Sequence, residues 1–380
     1  MASFGLRRIT LMTLILLVAV PCVFGTTLYV GTCRTPSYTT ISAAVAAAAP
    51  LSTISVCPGT YPEQVVVTKV LTLQGIANGN NDRAKIVVPP NVTGGATPWT
   101  FIPDPDGSVV PVAAQLLIQL SGAGGTGTVK ISNITIDGTG DVGPSACSAS
   151  SGWQTVAVFL VNTPGSLNNV STTGQGHATG CGAGVRDFSA VSPPVSFSMT
   201  NTSVQNASSW GVLLEGTLTA TLNKNWITVP GSGIASYGGS GTISSNFVQS
   251  GSSAIQAIDL SNGDSWTIST NTIVAAGNSP DGISLNAYLG QGSAVVTGNT
   301  IVAFAWGISV NLNDSGAYSF QKNTLVNNQT GMDLGCDASV TLSGNNIKNA
   351  GYGFDNIPAP LSLTGNTFAN TDQEKRFVCP

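Results

Sequence analysis

Asn299-Thr-Ile-Val-Ala-Phe-Ala-Trp-Gly307-Ile-Ser-Val-Asn311 holds one full statement of a phrase that recurs through the second half of the chain. It is an asparagine, one residue, then a β-branched or aromatic residue, and several positions later a small residue followed by an apolar one. The phrase returns as Asn201-Thr-Ser before Gly211-Val212, Asn225-Trp-Ile before Gly233-Ile234, Asn271-Thr-Ile before Gly282-Ile283, Asn323-Thr-Leu before Gly331-Met332 and Asn345-Asn-Ile before Gly353-Phe354. The asparagines at 201, 225, 246, 271, 299, 323, 345 and 366 are spaced by 24, 21, 25, 28, 24, 22 and 21 residues. A period of this length, nearly constant but elastic, marks a solenoid.

Within each period the runs Gly307-Ile-Ser-Val-Asn and Ser339-Val-Thr-Leu-Ser alternate apolar and small polar residues and are bounded by Gly and Asn, which is strand patterning. There is no room for a strand plus a helix of 10 to 15 residues, and the regular leucine spacing of a leucine-rich repeat is lacking. Two or three strands per turn of a parallel coil remain, so the expected class is all-β, a parallel β-helix whose coils stack about 4.8 Å apart. An asparagine at the same point of every coil then lies above its predecessor and bonds to it, each bond contributing about 1 kcal/mol net. Asn also tolerates a left-handed corner. All eight asparagines are expected in one internal ladder.

These repeats resemble the pectin-lyase-like superfamily of right-handed parallel β-helix proteins, in particular an Asn-rich branch grouped with periplasmic copper-maturation and carbohydrate-binding proteins. The N-terminal segment is similar to the opening of pectinesterases: Tyr38-Thr-Thr-Ile-Ser-Ala-Ala-Val-Ala-Ala-Ala-Ala49, Ile54-Ser-Val-Cys-Pro-Gly-Thr-Tyr-Pro-Glu63 and Val65-Val-Val-Thr-Lys-Val-Leu-Thr-Leu-Gln-Gly75. That resemblance implies a short capping helix, a strand, a turn and the next strands. After Gly75 the Gln-Asp-Thr and Asp-Phe-Ile-Phe-Gly phrases of pectinesterases are not found. Gln175-Gly-His177-Ala keeps Gly-His of a polygalacturonase motif without its second Gly. Tyr352-Gly-Phe-Asp355 resembles the start of the alginate-epimerase motif, with Asn356 and Ile357 where Pro and His are expected.

Arg7 and Arg8 precede an apolar stretch from Ile9 to Phe24 and a small-residue cleavage site at Gly25, which reads as a secretory leader over 1–25. The rest divides into a cap and first coil over 26–60, coils over 61–370 and a polar tail over 371–380. Export places the mature chain outside the cell, in a periplasm or on a cell surface, with no membrane segment after cleavage. Loss of the leader removes Cys22 and leaves Cys33, Cys57, Cys147, Cys181, Cys336 and Cys379, an even set that implies three bridges. Of the possible pairings, Cys33 with Cys57, Cys147 with Cys181 and Cys336 with Cys379 join sequence-near coils. A metal cluster competes less well, since no two of these cysteines sit two to four residues apart and the chain has one His. Acidic residues outnumber basic ones, 17 to 13, before the leader takes two arginines away, which makes nucleic acid an unsuitable partner.

Candidate chemistry falls into four groups. Long loops decorate the early coils, at Pro89 to Pro111 with Trp99, Gly138 to Trp153, and Ser171 to Gly182 with His177, and loops on a rigid scaffold concentrate function. His177 with Arg186 offers an acid or base beside a cation, as proton abstraction next to a sugar carboxylate requires. Asp137 and Asp141, in Asp-Gly-Thr-Gly-Asp, are a possible calcium pair. Aligned Gly-Ile strands put Arg186, Leu213, Ala235, Asp259, Ser284, Ser309, Asp333 and Asp355 in one outward column, with the last two about 5 Å apart on adjacent coils. Such carboxylates can share a proton, hold a cation or act as acid and nucleophile. The positions before the repeat glycine form a second column, Trp210, Ser232, Asp281, Trp306, Thr330 and Tyr352, whose aromatic rings suit sugar faces. The expected function is binding, with lyase, epimerase or hydrolase chemistry, on a polysaccharide or cell-surface glycan. The alternative is a non-catalytic structural or adhesive β-helix.

Overall fold

The structure is a computed structural model and describes residues 25–76, 83–89, 101–103, 111–121, 127–140, 154–176, 182–258, 260, 263–287, 292–311, 316–336, 338–359 and 361–379. Its short strands pair in parallel, coil upon coil, into three long sheets. The first runs from Thr27–Val30 to Ser339–Ser343, the second from Gly59–Pro62 to Thr367–Ala369 and the third from Val65–Val67 to Gln373–Lys375, each with 12 described parallel strands, and Phe101–Ile102 adds antiparallel to Val112–Ile118 of the third. This is the parallel β-helix expected from the repeats, right-handed as the resemblance implied, in about twelve turns and with one short helix among the described residues, at its N-terminal end. Valine, isoleucine and leucine from all three sheets point inward and form one continuous core.

The helix Ile41–Ala47 closes the first coil, and the Pro-Gly-Thr-Tyr-Pro-Glu turn explains how. Glu63 carries its carboxylate back to the helix start, where Oε1 accepts from Ile41 N at 2.7 Å and Oε2 from Ser42 N at 2.8 Å. Thr40 caps the same turn by accepting from Ala43 N. A carboxylate on free helix N–H groups meets both the unsatisfied donors and the positive end of the dipole. Tyr61 is buried and donates to Cys57 O, next to the Cys33–Cys57 bridge. Replacing Glu63 by glutamine is expected to cost about 2 kcal/mol of local stability, because a charge-assisted bond is replaced by a neutral one and a second oxygen is lost. Faster amide exchange at Ala43 to Val45, with the later coils unchanged, is the reading to look for.

The asparagine ladder is present with one correction. Asn225, Asn246, Asn271, Asn299, Asn323 and Asn345 are buried, and Asn366 ends the series. Each Oδ1 accepts both the backbone N–H and the Nδ2 of the asparagine one coil earlier, as Asn246 does from Asn225 at 2.9 Å each. Each Nδ2 also donates to an interior carbonyl, such as Leu222 O from Asn246. Asn201 is not a member. It is exposed with φ 51°, and Thr202 holds the ladder position, its N–H donating to Asn225 Oδ1. The left-handed corner therefore belongs to the residue before the ladder: Lys224, Ser245, Thr270 and Lys322 have φ between 52° and 56°.

The repeat glycines are set by crowding. A Cβ on Gly307 would lie 2.6 Å from Gly331 O and 2.5 Å from a methyl of Leu325, and one on Gly331 would lie 2.6 Å from Gly353 O. At this point the third sheet passes so close to the second that only a hydrogen fits. At the C-terminal end Cys336 bonds Cys379, and Gln373–Lys375 adds a last strand beside Tyr352–Asp355. Cys147 and Cys181 lie outside the described residues.

Candidate functional site on the outer face of the third sheet

The outward column read from the Gly-Ile strands is the register of the third sheet. Arg186 lies opposite Leu213, Leu213 opposite Ala235, Ser284 opposite Ser309, Ser309 opposite Asp333 and Asp333 opposite Asp355. One position differs: Gln256, not Asp259, stands between Ala235 and Ser284. The strand Ile255–Ile258 begins without the Gly-Ile pair, with Ala254 in the glycine's place, so alignment by glycine slips there.

This single face has two characters. On the early coils it is closed, with Leu117, Val156, Phe159 and Phe188 packed in a second apolar cluster outside the sheet. Arg186 lies in that layer at 1% exposure, its guanidinium over the Phe159 ring and bonded to Glu215 at 2.6 Å and Gln154 at 2.6 Å. It is an internal cation held by a carboxylate, not a group on an open surface. Trp210 packs against the same cluster. His177, Trp99, Trp153 and Asp141 lie outside the described residues. Asp137 forms an ion pair with Lys85 at 2.5 Å and accepts from Thr139 N, bonds that hold its carboxyl below the usual carboxylate range despite the opposing effect of its partial burial. No group of three or more His, Cys, Asp or Glu with metal-holding geometry occurs among the described residues.

From Asp281 onward the same face is open and polar. A groove of about 270 Å³ is lined by Asp281, Ser284, Asn286, Trp306, Ser309, Asn311 and Asp333, with Leu285 and Val310 in its floor. Strands Asp281–Leu285, Trp306–Val310 and Thr330–Asp333 supply these residues, so their relative positions follow from the coil spacing of about 4.8 Å. Asp281 accepts from Ser309 Oγ at 2.7 Å on one oxygen and from Ser253 Oγ at 2.9 Å on the other. Asp333 accepts from Asn356 Nδ2 on both oxygens, at 2.9 and 3.0 Å. Burial pushes the Asp333 carboxyl above its ordinary value, and the charges of Asp355 and Asp281 push the same way, outweighing the bonds from Asn356 and Gly335 N–H. Asn286 Oδ1, in the wall, is shut off from water and has no donor. Trp306 presents its ring at 39% exposure.

Asp355 and Tyr352 continue the site by one coil but are occupied. Asp355 is 7% exposed and 3.3 Å from Arg376 Nη1, while the Arg376 guanidinium stacks on the Tyr352 ring at 4.6 Å. Of the expected carboxylate pair, Asp333 therefore faces the groove and Asp355 is turned into an ion pair. The second groove carboxylate is Asp281, which the sequence reading placed in the aromatic column. Asn286 and Asn311 were not singled out there, although both follow the strand phrase at the same offset, in Gly282-Ile-Ser-Leu-Asn286 and Gly307-Ile-Ser-Val-Asn311.

Residues 183–334 match the family described as "Periplasmic copper-binding protein (NosD)". That stretch contains neither His nor Cys, and its methionines, Met199 and Met332, are buried in the core, so the donors copper takes are not offered there. No curated protein matches in sequence. Among solved structures, the mannuronan C-5 epimerase AlgE4 A-module of Azotobacter vinelandii is similar with a TM-score of 0.55 at 12% identity, over 89% of this chain and 91% of that one. The catalytic unit of a GH87 alpha-1,3-glucanase from Streptomyces thermodiastaticus is similar with a TM-score of 0.51 at 13% identity, over 88% of this chain and 65% of that one. At such identities the likeness is one of fold, and it agrees with the three-sheet coil: the chain has a right-handed parallel β-helix architecture.

Proposed function

We propose that this is an exported β-helix protein that binds a polysaccharide along the outer face of its third sheet and carries out acid–base chemistry on it in the groove between Asp281 and Asp333. The leader-like N-terminus, the two bridges at the ends of the solenoid and the "periplasmic" description of the matched family support export. The observation that carries the reading is the coil-to-coil assembly of two carboxylates, an exposed tryptophan and a row of hydroxyl and amide groups in one open groove. Proteins of similar fold include a polysaccharide epimerase and a glucanase, which supports a glycan as ligand.

The two carboxylates have different environments and so different roles. Asp333, with its raised proton affinity, is the proton donor to a leaving oxygen. Asp281 has both oxygens directed by serine hydroxyls and is the acceptor of a proton from water. Their strands are two coils apart, about 10 Å along the axis, which leaves space for a water molecule between acid and base. Trp306 is the platform for a sugar face. A glycan array followed by assays for new reducing ends and for ultraviolet-absorbing unsaturated products tests the reading. Asp333→Asn is expected to lower turnover about 10²- to 10⁴-fold with thermal stability kept. Binding without product, unchanged by that substitution, would leave an adhesive β-helix as the function.

A further inference from the structure

We infer that the groove selects neutral glycans and rejects polyuronates, so that its chemistry is hydrolysis of an uncharged glycosidic linkage. The inference rests on the polysaccharide reading above and narrows it. Elimination and C5 epimerisation act on uronates, and both remove a proton beside a carboxylate whose negative charge has to be neutralised in the transition state. A site for either reaction therefore sets a cation against the sugar carboxylate.

Here the charge has the opposite sign. Asp281 and Asp333 line the groove and Asp355 adjoins it. The sequence holds no Lys, Arg or His between Lys224 and Lys322, a stretch that supplies two of the groove's three strands and the connections between them. Lys322 occupies the left-handed corner between the first and second sheets, between strands Ala317–Gln321 and Thr324–Val326, and so lies away from the third sheet. Arg376, one coil beyond Asp333, is engaged by Asp355 and by the face of Tyr352. A uronate carboxylate seated over Trp306 would thus meet two acids within about two coil spacings, while the exposed Lys375 stands on the last strand of the sheet, three coils beyond Trp306, a like-charge arrangement that weakens binding about 30-fold or more.

What the groove does offer is matched to hydroxyl groups. Serine hydroxyls and asparagine amides alternate with the carboxylates, donors and acceptors suited to sugar hydroxyls. In the reaction, Asp333 gives its proton to the glycosidic oxygen as the bond from that oxygen to the anomeric carbon breaks. Water forms the new bond to that carbon and passes its proton to Asp281. No electrons are gained or lost, and no further reactant is needed.

The test is affinity electrophoresis and titration calorimetry of the full mature chain against neutral glucans, mannans and galactans and against alginate and polygalacturonate, at low salt, with EDTA or with calcium. Retention by at least one neutral polymer, lost on Trp306→Ala, together with no retention by polyuronates, is the expected result. Asp281→Asn with Asp333→Asn should raise whatever residual polyuronate affinity exists by about tenfold or more as repulsion is removed. Polyuronate binding equal to or tighter than neutral binding, or polyuronate binding that calcium switches on, overturns the inference while leaving the polysaccharide reading intact. Failure of every polymer to bind overturns that reading, and the inference with it.

Discussion

Asn299→Ala is expected to lower global stability by about 3 to 5 kcal/mol, seen as a shift of the urea midpoint followed by circular dichroism. The side chain makes four bonds of 2.9 to 3.0 Å inside the corner, and its Nδ2 also reaches Thr297 O at 3.3 Å. Its Oδ1 accepts from Asn271 N and Nδ2, both at 2.9 Å, and its Nδ2 donates to Ile268 O at 2.9 Å and to Asn323 Oδ1 at 3.0 Å. Alanine leaves the Asn271 N–H buried with nothing in exchange and takes one of its donors from the Ile268 carbonyl, and an unmade bond in the interior costs more than a made one contributes. Asn299→Asp should be as damaging near neutral pH, because it sets an oxygen against the two acceptors that Nδ2 now serves. Asn201→Ala is the control. Exposed and outside the ladder, it should cost about 1 kcal/mol, the strain of a left-handed corner without Asn or Gly. Equal losses at 201 and 299 would remove the ladder as the source of the effect.

The second large effect is a gain. Asp187 points into the core between Leu160 and Leu214 of the neighbouring coils, with no exposure and no hydrogen bond to either carboxylate oxygen. Burial pushes its carboxyl well above the ordinary value, and the charge of Glu215 adds to the shift. In the unfolded chain the same group titrates near 3.9. The folded state therefore holds the proton more tightly. The protein is at full stability from this group below about pH 4, and it loses about 1.4 kcal/mol for each pH unit climbed from there to the folded-state value. Asp187→Asn removes the titration at nearly constant volume. The variant should melt higher than the parent at pH 7, with the gap closing toward pH 4. Parallel melting curves of the two proteins across pH 4 to 8 would refute the assignment.

What was legible in the sequence was whatever the coil repeats. Register made Asp333 the neighbour of Asp355 and Trp306 the neighbour of Asp281 before any coordinate, because in a parallel solenoid a fixed offset from the repeat glycine is a fixed place on the surface. The errors came where that offset is broken or where a layer lies over the face. Asn201 misled because Thr202 had taken the ladder place, and Thr can accept the same N–H that Asn does. Asp259 misled because its coil lacks the Gly-Ile pair. Arg186 is outward in register, yet the apolar residues that bury it belong to Phe159 and its neighbours, two of whose strands are eight residues long and buried on both faces. A strand apolar on both faces signals a covered sheet, and Gln154-Thr-Val-Ala-Val-Phe-Leu-Val161 carried that signal. The rotation of Asp355 into Arg376 depends on the chain end, which no repeat encodes.

The crowded glycine marks one vertex of most later turns and the ladder amide with the left-handed corner just before it marks another, while the connections between them absorb a spread from 21 to 28 residues. Each turn is thus a self-contained module that meets its neighbours through the same few bonds, and a splice from one ladder asparagine to the next returns every vertex to its place. Removing 299–322 would set Asp281 directly against Thr330 and erase the tryptophan, whereas duplicating that module would lengthen the groove by one sugar-sized step. By this route a gene can lengthen or re-letter its binding face through unequal exchange, without having to invent a new core.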